Sequence, residues 1–450
     1  MLSVLKSKLD NSLLQLIQVC RFQRLSFSLY STIPPEQSSD YQKLCHFVLS
    51  GIGGLDELEA SLNSSKASIS STLVTQILDS CKTQAHTRRL LRFFSWSRKN
   101  LNSKLDDEVF NYAIRVFAEK KDLTALDILL SDLQKEHRTL ETETFSLVTE
   151  ILVKMGKEDE AVGLFKNLDK FRCSKDRITV SAIVHALCAK GHAKKAEGVV
   201  FHHKNKIFGA EPCIYRNLLY GWCVHGNVNE ARRIMNEMKS LGVQLDLFCF
   251  NTFLRCLCKR NLKFNPSALV PEASNLMMEM NFNGIMPNTV SFNILLSCLC
   301  STRRVKESYR ILNSMKKFGC SPDWVSYYLV VRVLYLTGRF GRGNKLVDEM
   351  IEAGLIPKPR FFYDLIGVLC GFERVGHALQ LFERMKKRCE GDYGPVYDLL
   401  IPKLCRGGDF EKGKQLWDDA MERGIVLRCS RDVLDPSITE VFKPKRKVEE

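Results

Sequence analysis

The sequence predicts an all-α solenoid built from tandem helix–turn–helix repeats, on three observations. An anchor residue returns every 35 positions at Phe110, Phe145, Val180, Tyr215 and Phe250, then at Phe292, Tyr327, Phe362 and Tyr397. Apolar residues around each anchor have helical spacing. Small residues and glycines recur with the same period, the signature of a repeat architecture. The one irregular step, Phe250 to Phe292, is 42 residues long. Its excess lies in "NLKFNPSALVPEA", where Pro266 and Pro271 are expected to break helical continuity.

Within a repeat, Phe292, Leu295, Leu296, Leu299 and Cys300 form one face of a first helix. After "STRR", Val305, Ser308, Leu312 and Met315 form the face of a second, which Gly319 and Pro322 end. Ala161, Ala196, Ala231, Ala273, Ser308, Gly343, Ala378 and Gly413 recur near the start of the second helix. A small side chain there lets the two helices of a pair approach closely. Gly156, Gly191, Gly226, Gly338 and Gly408 mark the turn between them. One hairpin cannot bury its own apolar face, so neighbours must stack into a solenoid with a groove.

The stretch "TVSFNILLSCLCSTRRVKESYRILNSMKKFGCSPD", residues 289–323, resembles the pentatricopeptide repeat family throughout. It has the aromatic–Asn start, "LC", a turn, "M", and a closing Gly with Pro-Asp. Plain 35-residue repeats resemble the family's P subfamily, and the resemblance implies a right-handed superhelix. On this reading 1–31 is a transit peptide, 32–70 a linker and N-terminal helical segment, and 71–106 a degenerate capping repeat. Nine repeats then fill 107–141, 142–176, 177–211, 212–246, 247–288, 289–323, 324–358, 359–393 and 394–428, and 429–450 is a basic tail.

The chain has no Cys-x-x-Cys, P-loop, Gly-x-Ser-x-Gly or His-Glu-x-x-His signature, so the reading is of a non-enzyme without cofactor or metal. Of 17 cysteines, Cys188, Cys223, Cys258, Cys300, Cys370 and Cys405 share one repeat position, which suits small core hydrophobes in a reducing compartment. The net charge of +15 suits a polyanionic partner, and "KPKRK" (Lys443 to Lys447) adds a basic cluster. The first 31 residues hold Lys6, Lys8, Arg21 and Arg24, and Leu5, Leu9, Leu13 and Leu16 make one helical face. The stretch "NSLLQLIQVCRFQRLSFSLYSTIPP" contains no Asp or Glu. That composition reads as a mitochondrial presequence, with a chloroplast address as the alternative and processing between Phe27 and Ser31. No apolar run reaches membrane-spanning length.

The family resemblance implies a monomer that binds single-stranded organellar RNA, one base per repeat. The residue after each anchor would read the base edge, the last residue of the repeat would assist, and the second residue would wedge between bases. Asn293 with Asp323 would then prefer uridine between Val290 and Val325. Asn251 with Asn288 would prefer a pyrimidine, with Phe248 as wedge. Ser146 with Asp176 would prefer guanine, beside an unsuitable Glu143. Asn111 and Ser181 keep only the first reader, because their partners are Glu141 and Glu211. Arg216 with Asp246, Tyr328 with Lys358, Tyr363 with Tyr393 and Asp398 with Arg428 depart further. The alternative class is a protein-interaction solenoid in a mitochondrial ribonucleoprotein or ribosome, which predicts an exposed apolar or tyrosine patch around Tyr328 to Tyr393.

Overall fold

A computed structural model describes residues 39–50, 53–65, 67, 69–101, 105–203, 211–355, 359–388 and 393–439. The expected transit peptide, Lys358 and the Lys443–Lys447 cluster lie outside the described residues. The chain divides into two compact units, one ending at Glu136 and the other beginning at His137. Among the described residues every regular element is helical, and no helix is long and apolar enough to cross a membrane.

The first unit holds three hairpins: α1 (Ser39–Leu49) with α2 (Leu55–Ser64), α3 (Ser71–Cys81) with α4 (Thr87–Asn100), and α5 (Asp107–Glu119) with α6 (Leu123–Lys135). First helices pack on first helices and second on second. The last carbonyls of a helix have no partner within it and need an outside donor. At the end of α1 that donor is Arg89, only 8% exposed. Its guanidinium donates to the carbonyls of Phe47 at 2.7 Å, Val48 at 3.2 Å and Gly53 at 3.2 Å.

The second unit is a run of eight hairpins. Its first helices are α7 (Thr142–Lys154), α9 (Arg177–Ala189), α11 (Pro212–His225), α13 (Leu247–Phe264), α15 (Thr289–Ser301), α17 (Trp324–Leu336), α19 (Pro359–Gly371) and α21 (Gly394–Arg406). Each packs against the next in that series. The second helices are α8 (Glu158–Lys166), α10 (Ala193–His202), α12 (Val228–Ser240), α14 (Leu269–Phe282), α16 (Val305–Lys317), α18 (Phe340–Glu352), α20 (Val375–Arg388) and α22 (Phe410–Glu422).

Each anchor is the fourth residue of its first helix, and all are buried, from 0% exposed at Phe145, Phe250 and Phe362 to 8% at Tyr215 and Tyr327. Burying one such ring contributes about 1.5–3 kcal/mol, several times a helix cap or a surface ion pair. The anchors therefore set the period. The first helices are buried more widely than one amphipathic face, because each has a neighbour on both sides. Ile294 and Cys298 are covered as well as Leu295 and Leu299.

The hairpin turn needs one residue with left-handed backbone. Gly156, Gly191, Gly226, Gly338 and Gly408 supply it with φ between 74° and 87°, and Arg303 and Glu373 adopt φ of 57° and 56° at the same position. The long repeat handles its insertion differently from expectation. Its first helix runs straight through the turn position, where buried Asn261 donates to Glu272 at 2.8 Å, and continues to Phe264. Pro266 opens a 3-10 turn, but Pro271 lies in the first turn of α14, where its missing N–H costs nothing. It opens a helix and breaks none.

The small residues at the start of the second helices are all close-packed. Ala161, Ala196, Ala231, Ala273 and Ala378 are 0% exposed, and a Cβ on Gly343 would meet the Tyr335 ring at 2.3 Å. The repeat-locked cysteines are core residues, apart from half-buried Cys223. They line a seam between first helices, where Cys256 neighbours Cys223 on α11 and Cys298 on α15 neighbours Cys258. At the equivalent α9–α11 contact, glycine leaves room: a Cβ on Gly221 would sit 2.7 Å from the Cys188 sulfur.

Candidate nucleic-acid interface

The first helices of the second unit leave one strip uncovered, and it bears the second and fifth residue of each repeat. Along it, Ile178 is 61% exposed, Phe248 39% and Val290 40%. Cys213 is exposed in the same register, and Val325 is half-buried. Large apolar groups in water cost free energy, so a regular row of them marks a surface for apolar or planar partners. The row spans five consecutive repeats, with Glu143 before it and Arg360 and Pro395 after it.

Between these wedges lie the fifth-position residues, and their surroundings differ. The Asn293 amide donates to the Asp323 carboxylate at 3.1 Å, and the Ser326 hydroxyl donates to the Asn293 carbonyl oxygen at 2.7 Å. Asp323 also caps α17, accepting the Ser326 N–H at 2.8 Å. One repeat earlier the arrangement recurs. The Ser291 hydroxyl donates to the Asn251 carbonyl oxygen at 2.6 Å, and Asn288 caps α15 by accepting the Ser291 N–H at 3.1 Å. Each of these two junctions joins a fifth-position Asn, a last-position cap and a third-position Ser. Asn251 and Asn293 are both half-buried.

The remaining junctions are closed in other ways. Ser146 donates to the carbonyl of Thr142 at 2.8 Å, within its own helix. Asp176 caps α9 through the N–H groups of Ile178 at 3.0 Å and Thr179 at 2.9 Å. Burial pushes the Asp176 carboxyl up, but the donors from Thr179, Ser174 and Ile178 outweigh it and hold its pKa below the usual value. Ser181 is half-buried, and its partner position Glu211 pairs instead with Arg177 at 2.9 Å. Arg216 and Asp246 form an ion pair at 2.8 Å. Asp398 accepts the backbone N–H of Arg428 at 2.8 Å and of Cys429 at 3.1 Å.

Asn111 is 0% exposed, with its amide donating to the Asp107 carbonyl at 2.9 Å. None of the tyrosines expected in an exposed patch is exposed, and Tyr363 is half-buried. Tyr393 is only 8% exposed and packs edge-on against Phe382, and Tyr328 is half-buried, donating to Asp364 at 3.2 Å.

Positive charge lies beside the Asn251 junction. Arg255 and Lys259 follow Asn251 by one and two helical turns on the same face. Burial lowers the Arg255 pKa from its ordinary value, yet a guanidinium stays charged at neutral pH. Arg332 stands on α17, its guanidinium 3.9 Å from the Cys300 sulfur. Sequence reading did not single out Ser291 and Ser326, whose hydroxyls join these junctions, or Ile178 and Cys213 in the exposed row. The signal was present: a hydroxyl residue precedes the anchor in Thr144, Thr179, Ser291 and Ser326.

The comparisons with known proteins follow this geometry. A model of the PPR repeat family matches residues 212–259 and 287–336, and a PPR repeat model matches 363–389. A mitochondrial pentatricopeptide repeat-containing protein of Arabidopsis thaliana is 65% identical over 408 residues, covering 91% of this chain and 84% of the relative. The Arabidopsis thaliana small ribosomal subunit protein mL104 (rPPR9) is 28% identical over 352 residues, covering 78% and 67%. Among solved structures, the pentatricopeptide repeat protein PPR10 from maize aligns with a TM-score of 0.53 at 18% identity, covering 86% of this chain and 59% of that one. With its 35-residue hairpins and a relative this similar over most of both lengths, the chain belongs to the pentatricopeptide repeat family.

Proposed function

We propose that this protein binds single-stranded RNA in mitochondria and acts on transcript stability, processing or translation by occupying the RNA, without catalysis. The observation that carries the reading is the pair of adjacent junctions at Asn251/Asn288 and Asn293/Asp323, set between exposed Phe248 and Val290 and half-buried Val325. An unpaired base offers a Watson–Crick edge to an amide and two faces to apolar groups, and base stacking of this kind contributes about 1–3 kcal/mol per base. Arg255 and Lys259 supply charge for the phosphates. A mitochondrial address is supported by the basic leader and by the mitochondrial name of the 65% identical relative. The plain 35-residue repeats support the P subfamily.

A second reading, docking within a mitochondrial ribonucleoprotein or ribosome, is favoured by one observation. Several reader positions are occupied by internal partners, as in Arg216–Asp246, Tyr328–Asp364 and Asp398–Arg428, so the readable element is short. The mL104 relative points the same way. Fluorescence anisotropy on the full chain separates the two. RNA binding predicts preference for single-stranded over duplex RNA, and an Asn251→Ala/Asn293→Ala variant at least about 30-fold weaker, at roughly 1–3 kcal/mol per base contact. A docking protein shows neither effect.

A further inference from the structure

Resting on the reading of Asn251 and Asn293 as base readers, we infer that Ser291 and Ser326 are positioning residues that set how each reader amide meets its base. Neither serine was assigned a role by the repeat pattern. Both are 0% exposed, so water does not compete for their hydroxyls.

The chemistry at the second junction leaves one arrangement. An ionised carboxylate only accepts, so the Asn293 atom facing Asp323 at 3.1 Å is the amide nitrogen. The amide oxygen therefore faces Ser326, whose hydroxyl donates to it at 2.7 Å. The serine oxygen is itself held in place, because the Asp323 backbone N–H donates to it at 3.3 Å. The ring of Asn293, Asp323 and Ser326 commits one amide proton and one oxygen lone pair. One N–H and one lone pair remain for a base, the donor and acceptor that a uracil edge complements. Rotating the amide by half a turn would break two hydrogen bonds and set its nitrogen against a hydroxyl already engaged.

At the first junction the Ser291 oxygen accepts the Asn288 N–H at 3.2 Å and lies 2.6 Å from the Asn251 oxygen. Its single proton goes to the Asn251 oxygen, because the competing Asn288 amide oxygen stands farther off at 3.2 Å. The junction of Ser146, Asp176 and Thr179 uses its hydroxyls differently. Thr179 returns its hydroxyl to the Ser174 carbonyl at 3.1 Å, while Ser146 bonds its own helix. Cys249 stands at the serine position beside Arg216, which turns to Asp246. Both observed bridges run from a buried third-position hydroxyl to an asparagine reader.

The test measures base preference, which a purely structural serine would not move. The full chain, as wild type and as Ser326→Ala, Ser326→Thr and Asn293→Ala variants, is titrated with short single-stranded oligoribonucleotides that vary at two adjacent positions. Thermal midpoints are recorded alongside. Losing one hydrogen bond should narrow the ratio between favoured and disfavoured base about five-fold in Ser326→Ala, with affinity for the disfavoured base unchanged. Ser326→Thr should restore the ratio, and a threonine already fits the equivalent buried sites at Thr144 and Thr179. If Ser326→Ala does not fold, Ser326→Cys, the residue type at Cys249, is read in its place. A folded Ser326→Ala variant with full preference overturns the inference. If Asn293→Ala then still loses the preference, the reader assignment survives alone; if Asn293→Ala also keeps it, both fall.

Discussion

The Asn293 amide nitrogen lies 3.1 Å from the Asp323 carboxylate, linking the exposed strip of one hairpin to the helix cap of the next. The same carboxylate oxygen accepts the Ser326 N–H at 2.8 Å and lies 2.9 Å from its hydroxyl. A residue that the repeat pattern marks as an RNA contact is thus also a structural cap, and the two roles predict different losses.

Asp323→Ala should cost about 1–2 kcal/mol of stability through the lost cap. It should also weaken RNA binding by more than that loss of folded protein explains, because Asn293 loses its partner. Urea unfolding and anisotropy on the same preparation check this. A stability change with no change in RNA affinity at saturating folded protein would make Asp323 a cap only.

Two helical glycines, one in the seam between first helices and one on a second helix, predict opposite signs. Gly221→Ala drives a methyl to 2.7 Å from the Cys188 sulfur and 3.1 Å from its Cα, and should destabilise by about 1–3 kcal/mol. Gly198→Ala, in helix α10 where the new methyl would meet nothing within 4 Å beyond its own helix backbone, should stabilise by about 0.5–1 kcal/mol. Chemical denaturation midpoints of the two variants separate on either side of wild type.

The last hairpin carries a pH-dependent contribution. Burial pushes the Asp419 carboxyl up, but Arg423, Tyr397 and Lys386 outweigh it and hold its pKa at about 2. A depressed carboxylate stabilises the fold above its unfolded-state value near 4 and loses that contribution as pH falls through about 2. The contribution is at most about 2 kcal/mol, because the side chain is 27% exposed and solvent screens it. The difference in urea midpoint between wild type and Asp419→Asn should therefore be full at pH 6 and shrink progressively below pH 4.

A third reading junction can be built. Arg216→Asn with Cys249→Ser replaces the ion pair to Asp246 with the composition found at Asn293, Ser326 and Asp323. The double variant should acquire a preference at one further base, adjacent to the existing two, of roughly 5- to 100-fold, as a good base contact supplies. Randomised-oligonucleotide selection reads it out. An unchanged selected motif would show that side-chain identity at these three positions is insufficient.

Much of the fold was legible in the sequence because burial of the anchors is strong and strictly periodic. The spacing of Phe145, Val180, Tyr215 and Phe250 announces helices that begin three residues before each. The small residues such as Ala231 and Gly343 announce the helix contact. The long repeat was less legible, since nothing in "NLKFNPSALVPEA" reveals that Asn261, tied to Glu272, replaces a turn with a helix. The site was legible in its positions but not in its state. Asn111 and Asn293 stand identically beside their anchors, yet one is fully buried and the other half-buried. The Arg216–Asp246 and Tyr328–Asp364 contacts join residues 30 and 36 apart, and such pairings depend on how neighbouring hairpins stack.

The central claim is that the Asn251 and Asn293 junctions hold RNA. Crosslinking followed by sequencing of RNA bound to the protein in isolated mitochondria, beside the Asn251→Ala/Asn293→Ala variant, tests it most directly. The account predicts a discrete set of enriched single-stranded sites sharing two adjacent pyrimidines, lost in the variant at equal protein level. Enrichment that the variant leaves unchanged, or no enrichment in either, would contradict it.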